Sequence, residues 1–289
     1  MTLHVAAPAT TANLGAGFDC AALALDLWNE LEVEAGAFSV EVEGEGAGEL
    51  ATDATNMVVR AFSLAADPSG YGFRLLNRIP LERGLGSSAA AIAAGYAAGC
   101  AVAGKELALT DEAVALDGHA DNLAAAVVGG ACLTWVEDGE RRVRRVADAA
   151  PLTAVALIPK ERGRTAESRQ RLPGSVSHAH AAVAAGLGTL LGVALATADA
   201  ELFAQSAADV LHEPYRAGDN PLFAALKADA PERVKAVTLS GSGPTAIAWA
   251  AAEDAAAVRD ELAARFSEAT VTVLAAVATG VVTREVVKR

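Results

Sequence analysis

The spacing of apolar positions along the chain predicts a mixed set of strands and helices. Leu3–Ala7 is a short apolar run closed by Pro8, as expected of a strand. The small, polar, glycine-containing stretch Pro8–Asp19 reads as a loop. Leu23–Glu34 alternates in its second half through Trp28, Leu31 and Val33, and Phe38–Val42 alternates throughout, so both read as strands with one wet face. Met57, Val58, Ala61, Phe62 and Ala65 recur at helical spacing within Asn56–Ala66. Gly72–Ile79 is extended and leads into an Ala-rich helix that runs to about Ala103, with Gly104 as its stop. Thr110–Leu116 and Leu123–Val128 are short helices separated by Gly118–Asn122, and Ala131–Val136 with Arg141–Val146 is a hairpin around Asp138-Gly139. Thr153–Ile158 is a strand, Ser175–Ala196 and Ala200–Leu211 are helices, and Val234–Leu239 and Thr245–Ala251 are strands around SGSGP. Helix Glu253–Phe266 and strand Val271–Val277 follow. The order lacks a strict βαβα rhythm, which predicts an α+β fold, and the best division is into residues 1–150 and 151–289.

The most informative stretch is Ile79–Ala91, IPLERGLGSSAAA. Gly84 and Gly86 permit a tight turn, and Ser87 or Ser88 is expected to cap the helix that follows. A helix N-terminus presents unpaired N–H groups and the positive end of the dipole to an anion. Three owners of such a loop compete: an ordinary helix start with packing glycines, a dinucleotide fold, and a nucleoside-triphosphate loop. The dinucleotide reading takes Gly84, Gly86 and Ala89 as G-x-G-x-x-A with Glu106 beyond. It is weakened by Pro80, Glu82 and Arg83, which stand where an apolar strand should run straight into the first glycine. No Walker A sequence is present.

Composition narrows the partners. The 289 residues are 53% hydrophobic and 4% aromatic, with a formal charge of −13, which argues against nucleic acid or anionic lipid as the main partner. Mean hydropathy is +0.30, but Ala89–Ala103, read as the longest apolar run, is too short for a span of about 18–20 residues. A soluble, cytoplasmic chain without a signal peptide is expected. Cys20, Cys100 and Cys132 show no C-x-x-C pairing, so neither a disulfide framework nor a zinc site is expected, and His178 and His180 lack further ligands nearby. An anionic substrate would have to be held by helix termini, local arginines or a metal against this acidic background.

Three motifs in order point to one family. Pro80–Ala89, PLERGLGSSA, matches the P-x-x-x-G-L-G-S-S-A of the GHMP kinases, and PATTANLGAGFD (Pro8–Asp19) and LSGSGPT (Leu239–Thr245) are similar to its other two motifs. Further segments resemble the homoserine-phosphorylating branch: DGHADN (Asp117–Asn122), TAESRQRLP (Thr165–Pro173) and HEPYR (His212–Arg216). The resemblance implies a two-domain GHMP kinase fold: an N-terminal domain like domain 2 of ribosomal protein S5 and a ferredoxin-like C-terminal domain, with the site between them.

It also implies ATP and Mg²⁺, with L-homoserine as the alcohol and a homodimer left open. ATP would meet Asn56 and the loop Pro80, Leu81, Glu82, Arg83, Gly84, Leu85, Gly86, Ser87, Ser88, Ala89 and Ala90, although Asn56 serves equally as a helix N-cap. Ser88 and Asp117 would hold the metal. Asp117 stands where the family usually has a glutamate, and Ala120 replaces a proline. Asp111 and Glu112 are the fallback ligands. Asn13, Asp19, His119, Thr165, Arg169 and Arg216 would bind substrate: the arginines its carboxylate, Asp19 its ammonium, Asn13 and His119 its reacting end. A guanidinium pairs with a carboxylate through two parallel hydrogen bonds, which suits the arginines to that task. Asp121 and Asn122 lie beside the chemistry. Either Asp121 accepts the hydroxyl proton or in-line proximity suffices.

Overall fold

The computed structural model describes residues 2–163 and 165–286, the side chains of residues 165–167 and 286 excepted. The first six strands are β1 (Thr2–Asn13), β2 (Gly17–Ala35), β3 (Ser39–Gly44), β4 (Tyr71–Asn77), β5 (Ala131–Glu137) and β6 (Glu140–Ala147). Strands β7 (Thr153–Ile158), β8 (Val234–Leu239), β9 (Ala246–Ala250) and β10 (Thr270–Leu274) form a second, antiparallel sheet in the order β10-β7-β9-β8. The last strand, β11 (Val282–Val286), returns to the first sheet, whose order is β11-β1-β2-β4-β3, with β5 on β2 and β6 on β5. The division at residue 150 is thus crossed by β11, which pairs antiparallel with Thr2–Ala6.

Pro8, expected to stop the first strand, lies inside β1. The pairing of β1 with β2 shifts register after Pro8, and the pairing with β11 ends at Ala6, so a residue without an N–H is tolerated there. The expected loop Pro8–Asp19 is therefore the end of β1, a tight turn, and the start of the 19-residue β2.

The first half carries α1 (Met57–Phe62), α2 (Ser87–Ala103), α3 (Asp111–Ala115) and α4 (Ala120–Val128). The second carries α5 (Thr165–Gln170), α6 (His178–Thr197), α7 (Ala200–Ser206), α8 (Glu213–Arg216), α9 (Pro221–Ala228) and α10 (Ala255–Arg265). Helices α5, α8 and α9 were not expected, because each is short and either polar or proline-containing. Both α2 and α4 pack on β1 and β2, and alanines 89, 90, 93, 94, 97 and 98 of α2 are buried. Small side chains let the helix sit close to the sheet. The second sheet is covered on both faces: Ile247 and Trp249 of β9 join the core shared with the first sheet, while Ala246, Ala248 and Ala250 face the core under α9 and α10. The Trp249 ring meets Phe203 edge-on at 4.9 Å, and its Nε1 donates to Thr238 Oγ1 at 2.8 Å. A core continuous across both sheets fixes the two walls of the cleft between them.

Helix α6 is the longer apolar segment that the reading of Ala89–Ala103 overlooked. Among the described helices it is the one long and apolar enough to cross a membrane by length and composition. Its C-terminal residues Leu191, Ala194 and Leu195 are anchored in the core.

Candidate active site

The site lies in a cleft of about 470 Å³ between the glycine loop, the β1–β2 turn, the segment before α4, and the chain around α5 and α8. Its two ends are built differently.

At one end the backbone does the binding. The loop leaves β4 anchored from below: Asn29 Oδ1 accepts from the N–H groups of Arg78 and Ile79 at 2.8 and 3.0 Å, and Ile79 and Leu85 are fully buried. Gly84 has φ +73°, and a Cβ there would lie 2.3 Å from the Ser240 carbonyl oxygen. Gly86 has φ +68°, and a Cβ there would lie 1.9 Å from Thr10 Oγ1. Only glycine meets both demands. Gly86 is itself the N-cap of α2 and offers no side-chain cap, so the expected serine cap does not form. Ser87 and Ser88 are instead the first two helical residues. An N-terminus without a side-chain cap leaves its first-turn N–H groups to a ligand. Leu81, Glu82, Arg83, Gly84, Gly86, Ser87 and Ser88 line the cleft. Pro80, Leu85, Ala89 and Ala90 do not, and Leu85, Ala89 and Ala90 are buried in the core beneath the loop.

Asn56 takes the cap role that the sequence also allowed. It is buried as the N-cap of α1, its Oδ1 accepting from Val58 N at 3.0 Å and its Nδ2 donating to the Ala51 carbonyl at 2.7 Å. It is not among the residues that line the cleft.

At the other end, side chains from separate segments converge. The β1–β2 turn puts Asn13 (φ +71°), Leu14 (φ +47°) and Asp19 (φ +57°) in left-handed conformations. Asn13 Nδ2 donates to the Gly241 carbonyl at 2.9 Å and Asn13 Oδ1 accepts from Asp19 N at 3.0 Å. Arg169, on α5, forms a forked pair with Asp19, at 2.8 Å to Oδ1 and 3.0 Å to Oδ2, on a half-exposed surface. The two residues expected to take a carboxylate and an ammonium thus hold each other. The side chain of Thr165 lies outside the described residues.

Arg216 is buried, and the four-residue α8 that carries it is tied down at its N-terminal end. Asp209 accepts from the N–H groups of Leu211, His212 and Glu213, and buried Glu213 accepts from Leu239 N at 2.8 Å while pairing with Lys227. The Arg216 guanidinium donates from Nη1 to the Gly241 carbonyl and to His212 Nδ1, both at 3.2 Å. Its Nε is buried with no hydrogen-bond partner. Leaving such a donor unpaired costs about 1–3 kcal/mol, and the residue that carries it lines the cleft. Phe18 underlies both arginines, with the Cζ of Arg216 and Arg169 at 5.5 and 6.0 Å from its ring centre.

Between the two ends lies the segment from Asp117 to Asn122. His119 Nδ1 donates to Asp117 Oδ2 at 3.3 Å, and that hydrogen bond raises the imidazole's pKa against the opposing effect of burial. Asp121 is buried at the start of α4. Burial pushes its carboxyl up to about 6, against the N–H of Asn122, which donates at 2.7 Å. Asn122 Oδ1 accepts from Thr10 Oγ1 at 2.7 Å, which fixes the amide beside the glycine loop. Exposed Asp111 pairs with partly buried Arg141, and neither Asp111 nor Glu112 reaches the lining. No cluster of three or more His, Cys, Asp or Glu that could hold a metal occurs among the described residues, His178 and His180 included.

Residues 49–130 match the family model for the GHMP kinase N-terminal domain, and residues 193–268 match that for the C-terminal domain. A homoserine kinase of Streptomyces coelicolor is 39% identical over 270 residues, covering 88% of this chain and 86% of its own length. The chain belongs to the GHMP kinase family. A homoserine kinase of Mycobacterium sp. strain KMS is 40% identical over 268 residues, covering 86% of this chain and 84% of its own length. The crystal structure of a homoserine kinase from Cytophaga hutchinsonii superposes with a TM-score of 0.87 at 27% identity, over 98% of this chain and 97% of that one.

Several cleft residues of this GHMP kinase carried no prior sequence assignment. Phe18 and Gly241 sit inside recognised motifs but were given no role there, and a lone aromatic or a carbonyl carries no signal of its own. Glu49 and Arg162 pair across the cleft. This contact bridges residues remote in sequence, where spacing has no information.

Proposed function

We propose that this GHMP kinase transfers the γ-phosphoryl group of ATP to the hydroxyl of L-homoserine, giving O-phospho-L-homoserine. The observation that carries this reading is the buried, incompletely paired Arg216 in the same cleft as the uncapped N-terminus of α2. A phosphate-binding helix end alone fits any member of the family. A buried arginine short of one acceptor, next to the separable pair Asp19–Arg169, fits a small alcohol that also carries a carboxylate and an ammonium.

Phosphoryl transfer is governed by positioning and charge neutralisation. The first-turn N–H groups of α2, with Gly84 and Gly86 keeping the backbone open, cradle the phosphates. Ser88 and Asp117 line the same cleft and offer two hard oxygen donors. That set would suit Mg²⁺ arriving with nucleotide. The ion would neutralise phosphate charge. Arg216 takes the substrate carboxylate, and Arg169 and Asp19 exchange part of their mutual pairing for carboxylate and ammonium. Asn13 and His119 hydrogen-bond the reacting end. Asp121 is the acceptor for the hydroxyl proton, because a carboxyl with a pKa of about 6 is ionised yet still basic near neutral pH.

An ADP-release assay with L-homoserine, mevalonate and galactose tests this. ADP should form fastest with L-homoserine. Turnover with another of these alcohols in preference, or ATP binding without turnover on any, overturns the reading.

A further inference from the structure

His212 lies outside the cleft lining, yet it is fully buried between the two motifs that build the substrate end. Its ring stacks on Phe18, centroids 5.1 Å apart and planes 19° from parallel. Its Nε2 is 3.1 Å from the Gly15 carbonyl oxygen, in the β1–β2 turn, and its Nδ1 is 3.2 Å from Arg216 Nη1. A carbonyl oxygen can only accept and a guanidinium can only donate, so both contacts are satisfied by one form alone: neutral imidazole with its proton on Nε2.

We propose that His212 is a positioning residue, which in its Nε2–H form bridges the Gly15 carbonyl to Arg216 and sets the guanidinium at the cleft wall for the substrate carboxylate. This rests on the reading of Arg216 as the carboxylate's partner. Arg216 Nη1 is held from two directions, by His212 Nδ1 and by the Gly241 carbonyl, the same carbonyl that receives Asn13 Nδ2. One imidazole therefore locks the arginine of α8 to the turn that carries Asn13 and Asp19. Burial favours the neutral ring. Together with the Arg216 charge it lowers the imidazole's pKa, outweighing Asp209, whose Oδ2 is 3.6 Å from Nε2, the Gly15 hydrogen bond and the Asp19 charge. Asp209 is itself occupied by three backbone N–H groups.

Two substitutions separate positioning from packing. His212→Phe keeps the ring on Phe18 and removes both nitrogens. His212→Asn gives up the stack and keeps an acceptor near the Nδ1 place. Loss of a hydrogen bond to a charged group should raise KM for L-homoserine about 10- to 100-fold in His212→Phe, with a much smaller rise in His212→Asn. KM for ATP should stay unchanged in both. A purely structural role predicts the reverse order and overturns the proposal. So does an equal loss of kcat/KM in His212→Phe for 3-aminopropan-1-ol, which lacks the carboxylate. Long-range ¹H–¹⁵N correlation on the wild-type protein reads the tautomer without turnover or variants. A protonated Nε2 with bare Nδ1 at pH 7 is expected; an Nδ1–H form or an imidazolium contradicts the proposal even if both variants fail to fold. Wild-type protein that ignores L-homoserine but shows the Nε2–H tautomer would fault the substrate reading and leave the His212–Arg216 geometry standing.

Discussion

The two ends of the cleft solve the same problem, holding negative charge in an acidic protein, by different means. The phosphate end is made of backbone from one contiguous stretch, and its specificity lies in what is absent: two Cβ atoms and a capping side chain. The substrate end is made of side chains from three distant segments, and its specificity lies in hydrogen bonds that meet at the Gly241 carbonyl and Arg216. A backbone site tolerates changes that leave φ and close approach intact, whereas a converging side-chain site fails when one member is removed.

This contrast can be broken by mutation. Arg216→Ala should have the largest effect, roughly 2–5 kcal/mol or about 30- to 5,000-fold in kcat/KM for L-homoserine, because it unpairs a buried carboxylate. Its KM for ATP should hold, and Arg216→Lys should rescue it poorly, since an ammonium is a point charge without the planar fork.

Asp121→Asn should lower kcat about 100-fold, within the range for removing a general base, and abolish the fall in activity below about pH 6. Its stability should move the other way. The folded-state pKa of Asp121 is raised, so the native state binds the proton more tightly than the unfolded chain, and stability falls as pH rises from about 4 through 6. A shift of this size corresponds to about 2–3 kcal/mol. Urea denaturation at pH 7.5 should therefore find Asp121→Asn more stable than wild type. A variant that keeps its kcat would return the chemistry to in-line proximity.

At the phosphate end, Gly86→Ala should cost about 1–3 kcal/mol of stability through its left-handed φ and raise KM for ATP, while Ser87→Ala should change little. A severe Ser87→Ala defect would show that side chains, not backbone, hold the phosphates. Arg169→Ala should have the smallest effect at the substrate end, roughly 2- to 5-fold in KM for L-homoserine, because its pair with Asp19 is half-exposed and solvent-screened.

The same contrast explains what could be read from the sequence. The glycine loop was legible because all its determinants lie within thirteen consecutive residues. The Ala-rich helix after it and the stop at Gly104 followed from period and turn chemistry, and α2 ends there. The serine cap was misjudged because Gly86, in a left-handed conformation, itself takes the N-cap position ahead of Ser87, where a Cβ would meet Thr10. Asn56 was ambiguous between cap and ligand until its amide was seen engaged at both ends. Arg216 was found only through motif resemblance. Its environment, made by His212, Phe18 and a glycine carbonyl, depends on contacts that no local pattern encodes. Strand β11 was missed for a related reason: Val282–Val286 carries Thr283, Arg284 and Glu285, and only its pairing with β1 makes it a strand.

The central claim, that this cleft phosphorylates an amino-acid alcohol, is tested most directly by identifying the product. Incubated with Mg-ATP and L-homoserine, the protein should yield a ³¹P phosphomonoester resonance coupled to the γ-methylene of homoserine, in step with ADP. Inorganic phosphate as the sole phosphorus product besides ADP, or faster phosphorylation of mevalonate or galactose, would contradict it.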